Sequence, residues 1–123
     1  MLKTIMKYGE AEITYKTKQL LAEKPKLYNL FWETTLRCNA KCKHCGSKAG
    51  ENVELQEELT TEEIKNTLQS IANKYNANEI LLNITGGEPL VRTDLFEVMK
   101  LAKKLGYHWG MTTNGILIDD DIK

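Results

Sequence analysis

The chain has three cysteines, and all of them fall inside one short stretch, Cys38-Asn39-Ala40-Lys41-Cys42-Lys43-His44-Cys45. No Gly or Pro separates them, and Lys41 and Lys43 mark the stretch as solvent-facing rather than core. A disulfide would leave one thiol over. The economical reading is one metal centre held by three thiolates, Cys38, Cys42 and Cys45. Iron–sulfur clusters usually take four cysteines, so three would leave one iron of a four-iron cube without a protein ligand. An open coordination position is what separates a catalytic metal site from a structural one. The alternative is zinc, with His44 as fourth ligand. His44 and Cys45 are adjacent, and both would have to strain toward the same small ion. A cube offers separate irons to separate thiolates.

Two further stretches carry residue types suited to a site. Gly86-Gly87-Glu88-Pro89 permits unusual dihedrals and close backbone approach, and its proline fixes the exit angle. Thr113-Asn114-Gly115 contains the commonest turn dipeptide, and an ordinary turn is its simplest reading. Trp32, Trp109 and Met111 are read as core. Asp119-Asp120-Asp121 is read as a helix start, where carboxylates favour the dipole.

The elements that must position these stretches follow from pattern. Residues 1–26 form a lysine-rich N-terminal extension packed against the main unit. Ile13, Lys16/Thr17, Leu20 and Leu21 make a weak helical stripe in it, ended by Lys24-Pro25. Leu27 to Thr35 is rich in β-formers and reads as a strand, with the cysteine stretch at its C-terminal end. Gly46 to Glu58 reads as loop. Thr60-Thr61-Glu62-Glu63 is a capping box, with Leu59 and Ile64 placed as a hydrophobic staple. Ile64, Leu68, Ile71 and Tyr75 then form one helical stripe, ending at Asn76 or Asn78. Glu79 to Thr85 is nearly continuous in apolar residues, which suits a strand covered on both faces. A second helix starts near Thr93-Asp94 and stops at Gly106. Tyr107 to Thr113 is a third strand. The fold class is therefore α/β, a parallel βαβαβ layer with right-handed crossovers. All three candidate stretches follow strand C-termini, the edge where such folds place their sites.

Composition narrows the function classes. Seventeen basic and seventeen acidic residues balance, so charge gives no argument for nucleic acid or an anionic membrane. No run of ~18 apolar residues would span a bilayer, and the N-terminus lacks a secretory signal. Clustered free thiols suit a reducing compartment, so the expected localisation is cytoplasmic.

The spacing Cys38-x-x-x-Cys42-x-x-Cys45 after Trp32-Glu33-Thr34-Thr35-Leu36-Arg37 resembles the cluster loop of radical S-adenosylmethionine (SAM) enzymes. Gly86-Gly87-Glu88-Pro89-Leu90 and Thr113-Asn114-Gly115 resemble two further motifs of that family, in the same order. Cys45-Gly46-Ser47 is most similar to its peptide-modifying and cofactor-maturing branch. The resemblance implies a partial (β/α)6 barrel, a [4Fe-4S] cluster on Cys38, Cys42 and Cys45, and SAM as second cofactor. It implies that Gly86, Gly87, Glu88 and Pro89 receive the SAM amino group, and that Asn114 contacts SAM or substrate. His44 takes a position where the family often has an aromatic whose backbone lies near the adenine. The implied reaction is one-electron reduction by a reductant protein, cleavage of SAM to a 5′-deoxyadenosyl radical, and hydrogen abstraction from a peptide or small-molecule substrate. A strand–helix unit needs ~30 residues, so residues 27–123 are expected to be the N-terminal half of such a core. Its third strand would be an exposed edge open to self-association. The rival reading is a cluster- or zinc-binding module without catalysis.

Overall fold

A computed structural model describes residue 9 and residues 12–18, 26–50, 53 and 58–119. Three strands and two helices alternate: β1 (Asn29–Glu33), α1 (Thr61–Lys74), β2 (Leu81–Thr85), α2 (Leu95–Leu105) and β3 (His108–Met111). Short 3₁₀ turns occupy Ala77–Glu79 and Pro89–Val91. The strands form one parallel sheet in the order β1-β2-β3. Trp32 lies opposite Ile84, which lies opposite Met111. Parallel neighbours need a long crossover, and each helix supplies one.

The capping box forms as the sequence predicts. The Glu63 N–H donates to Thr60 Oγ1 at 3.3 Å, and the Thr60 N–H donates to Glu63 Oε2 at 2.8 Å. Two orphan donors at the α1 start are thereby satisfied. Leu59, expected to staple against Ile64, stays exposed. The helix ends one residue earlier than its apolar stripe. Tyr75 adopts an extended conformation as C-cap and is 45% exposed, so it leaves the face made by Ile64 and Leu68. α2 stops at Gly106 in the left-handed conformation.

One core holds both crossovers against the sheet. Ile64 and Leu68 of α1, Leu95, Val98, Met99 and Ala102 of α2, and Trp32, Leu82 and Ile84 of the strands are buried together. Each of the larger apolar side chains contributes about 1.5–3 kcal/mol on full burial. Tyr107 is buried just before β3 and donates its hydroxyl to the Leu68 carbonyl at 2.8 Å. Burial raises its phenol above the usual range.

Among the described residues only one face of β2 is covered, whereas its near-continuous apolar run predicts two. Leu81 is exposed, and the neighbouring Phe31 is 71% exposed on the same open face. Both helices pack on the other side, and side chains alternate across a strand. Trp109, expected in the core, is 45% exposed on β3, whereas Trp32 is buried and Met111 packs against the core. β3 pairs only with β2 among the described residues, so its outer edge is unpaired there.

The strands are shorter than their sequence signals, because the flanking residues turn into loops. Residues 12–18 are helical and exposed throughout, Ile13 and Tyr15 included. Leu20, Leu21, Lys24, Pro25, Asp120 and Asp121 lie outside the described residues, as do 51–52 and 54–57 within the Gly46-to-Glu58 loop. No helix among the described residues is long and apolar enough to cross a membrane.

Candidate metal and cofactor site

Three loops leave the C-terminal ends of the three strands and meet. The parallel ladder continues past the strands: the Thr34 N–H donates to Thr85 O at 2.8 Å, Gly87 N–H to Thr35 O at 2.6 Å, and Glu88 N–H to Arg37 O at 2.9 Å. This lays the second loop directly beneath the root of the cysteine loop. A Cβ at Gly87 would stand 2.2 Å from Arg37 O, and one at Gly86 would stand 2.6 Å from Thr35 O at a φ of +129°. Only glycine fits either place. The cysteine loop is closed by a bridge between Arg37 and Gly50. Gly50 N–H donates to Leu36 O at 3.0 Å, and Cys38 N–H to Gly50 O at 3.2 Å.

Cys38, Cys42 and Cys45, all free thiols, line a cavity of about 240 Å³ together with Gly87, Thr113 and Asn114. Cys38 and Cys45 are half-buried, and Cys42 is exposed. Backbone N–H groups already point at two of the sulfurs, from Ala40 to Cys38 at 3.4 Å and from Ala49 to Cys45 at 3.3 Å. Among the described residues no three His, Cys, Asp or Glu side chains converge where one ion could be held. Three thiols around one cavity are suited to a cube, which would give each thiolate its own iron. His44 is exposed and is not among the residues that line the cavity.

Glu88 does not present its carboxylate to the cavity. It is fully buried. Oε1 accepts from Thr113 Oγ1 at 2.8 Å and from the Leu90 N–H at 3.0 Å, and Oε2 accepts from the Asn114 N–H at 2.8 Å. The side chain ties the second loop to the third instead of facing a ligand ammonium. Pro89 is buried behind it as the first residue of the 3₁₀ turn. Of the Gly86-to-Pro89 stretch, Gly87 reaches the cavity wall. Asn114 reaches it too, and its side chain bonds Asn39 Oδ1 at 2.8 Å.

One set of residues was not singled out from sequence. Arg92 is buried, and its guanidinium grips both Asp94 oxygens, at 2.8 and 2.7 Å. It also donates to the carbonyls of Thr34 (2.9 Å) and Leu59 (3.1 Å) and lies over the Trp32 ring. Glu58 sits 3.7 Å from Arg92 Nη1 and 3.5 Å from Arg37 Nη2, and accepts the Thr35 hydroxyl. Asp94 in turn accepts from Thr61 Oγ1 at 2.7 Å. The Arg92 hydrogen bonds, with smaller help from Thr61, draw the Asp94 carboxyl down to about 2 against the opposing effect of burial. The network fixes Thr34 to Arg37, the residues that lead into Cys38. A detectable signal was available: an arginine followed two residues later by an aspartate, between a Gly-rich turn and an apolar helix.

Comparison with known proteins agrees with this arrangement. The model of the radical SAM superfamily matches residues 32–123. An Fe-coproporphyrin III synthase of Methanosarcina barkeri is 35% identical over 95% of this chain and 28% of its own length. The mycofactocin maturase MftC of Mycolicibacterium smegmatis is 34% identical over 76% of this chain and 22% of its own. A solved structure of histidine-tagged anSMEcpe with bound AdoMet superposes with a TM-score of 0.59 at 27% identity, covering 79% of this chain and 28% of that one. The chain thus spans about a quarter of the length of these relatives.

Proposed function

The chain belongs to the radical SAM superfamily, and from that premise we propose that it is the cluster- and SAM-binding part of a radical SAM enzyme. Cys38, Cys42 and Cys45 would hold a [4Fe-4S] cluster through three of its irons. When bound, the cluster and SAM supply one-electron reductive cleavage of a sulfur–carbon bond, the chemistry from which the family draws its hydrogen-abstracting radical. The single observation that carries the proposal is the shared cavity of the three thiols, Gly87 and Asn114.

The chain's own residues do the positioning. The Arg37–Gly50 bridge shuts the cysteine loop at its root. Arg92 fixes the carbonyl of Thr34 and so the direction in which that loop departs. Glycine at 86 and 87 lets the second loop pass close enough to form the floor of the cavity and leaves its backbone polar groups near a ligand. Such groups suit the ammonium and carboxylate of an amino acid. Glu88 acts from behind by holding the third loop against the second. The substrate we propose is a peptide or a cofactor precursor, in keeping with a maturase and a porphyrin synthase among the relatives. A reductant protein would supply the electron.

The test is release of 5′-deoxyadenosine from SAM after dithionite reduction of anaerobically reconstituted protein, wild type beside Cys42→Ala. Release that depends on Cys42 supports catalysis. A loaded cluster with no deoxyadenosine, in this chain and in a version extended to the length of its relatives, would favour the non-catalytic binding module.

A further inference from the structure

Asn114 is held at every polar side-chain atom and at its backbone N–H. That N–H donates to the buried Glu88 carboxylate at 2.8 Å, and Oδ1 accepts the Ile116 N–H at 2.9 Å. That second bond decides which end of the amide is the donor. Nδ2 then donates to Asn39 Oδ1 at 2.8 Å and stands 3.9 Å from Cys38 Sγ, within reach of a long N–H···S bond. Cys38 thus receives this side-chain donor in addition to the Ala40 N–H. The second and third loops therefore converge on one cysteine sulfur, through a carboxylate that no solvent reaches.

Resting on the cluster reading above, we infer that Asn114 is a positioning residue that sets, through Cys38, the electron affinity of the metal centre. Donors to cluster sulfurs are among the levers that set reduction potential, because they offset the negative charge gained on reduction. Asn39 and Ile116 keep the amide dipole aimed, and Glu88 keeps the backbone beneath it in place. The partner this arrangement serves is a thiolate carrying extra electron density, not a substrate group.

The experiment is a dithionite titration of the reconstituted protein, following the midpoint potential by visible absorption. Asn114→Asp keeps the shape and the acceptor for Ile116 but loses the donor. Asn114→Leu loses both and adds no charge. Each should make electron uptake about three- to tenfold less favourable, about 30 to 60 mV more negative for a one-electron couple, with Asp shifted further than Leu. Tyr107→Phe removes a buried bond to Leu68 O at a residue that does not line the cavity, and it should leave the potential in place. Should Asn114→Asp fail to hold iron, Asn114→Leu carries the comparison. A full cluster with the same potential in wild type and both Asn114 variants overturns the inference alone. So does an equal shift in Tyr107→Phe, which would assign the effect to a general loosening of the fold. A wild type that forms no cluster overturns the reading beneath it.

Discussion

Replacing Arg92 by methionine should loosen the whole base of the cysteine loop. The change removes the guanidinium and keeps an unbranched side chain over Trp32. Its direct loss is the two-pronged bond to Asp94, whose carboxyl that bond draws from 3.8 to about 2. At about 1.4 kcal/mol per pH unit this corresponds to about 2 kcal/mol at neutral pH. The carbonyls of Thr34 and Leu59 lose their donors as well, each worth about 1–3 kcal/mol if left dry. Water entering the gap will recover part of this. We expect a net loss of about 3–4 kcal/mol, within the roughly 3–5 kcal/mol typical of breaking one side of a buried pair. The sign with pH is fixed by the depressed carboxylate. Its stabilisation is fully present above the unfolded value of 3.8 and is lost as pH falls toward about 2. The contribution should therefore fall to about 1 kcal/mol near pH 3. Urea unfolding followed by far-ultraviolet circular dichroism, for wild type and Arg92→Met at pH 7 and near pH 3, measures both quantities. A gap below about 1 kcal/mol at pH 7, or one that does not narrow on acidification, would refute the reasoning.

Other substitutions probe separate links. Gly87→Ala places a methyl 2.2 Å from Arg37 O and should cost about 1–3 kcal/mol and lower iron content on reconstitution, whereas Gly46→Ala, with nothing within 4 Å, should do neither. Tyr107→Phe leaves the Leu68 carbonyl without its donor and should destabilise by about 1–2 kcal/mol in the same urea assay. Thr60→Ala breaks the capping box and should cost about 1 kcal/mol, readable in the same transition. Indifference of stability to Thr60→Ala would mean that the α1 terminus is held by its tertiary contacts instead.

Much of the fold is legible because its signals are local. The capping box, the apolar stripe from Ile64 to Leu68 and the stop at Gly106 each lie within a few residues of their effect. The site's cysteines are legible for the same reason, since one loop carries all three. What escapes is set by chain segments far apart. Tyr75 fits the helical stripe by spacing, but the chain turns at that residue to start the next strand. Leu81 and Phe31 look like strand core, yet both helices pack on the other face. Glu88 looks like a ligand group from its place in a Gly-rich turn. Only the approach of the third loop, at Thr113 and Asn114, shows its oxygens already engaged. The Arg92 network joins three separate stretches, Thr34 to Arg37, Glu58 to Thr61, and Arg92 to Asp94, and only the Arg92–Asp94 pair is visible as a local spacing.

The central claim is that Cys38, Cys42 and Cys45 together hold a four-iron cluster, and counting iron and sulfide after anaerobic reconstitution tests it most directly. The account predicts about four irons and four sulfides per chain, with visible thiolate-to-iron absorption, and loss of both in each single Cys→Ala variant. Stoichiometric zinc without that absorption, or an undiminished iron count in Cys42→Ala, would contradict it.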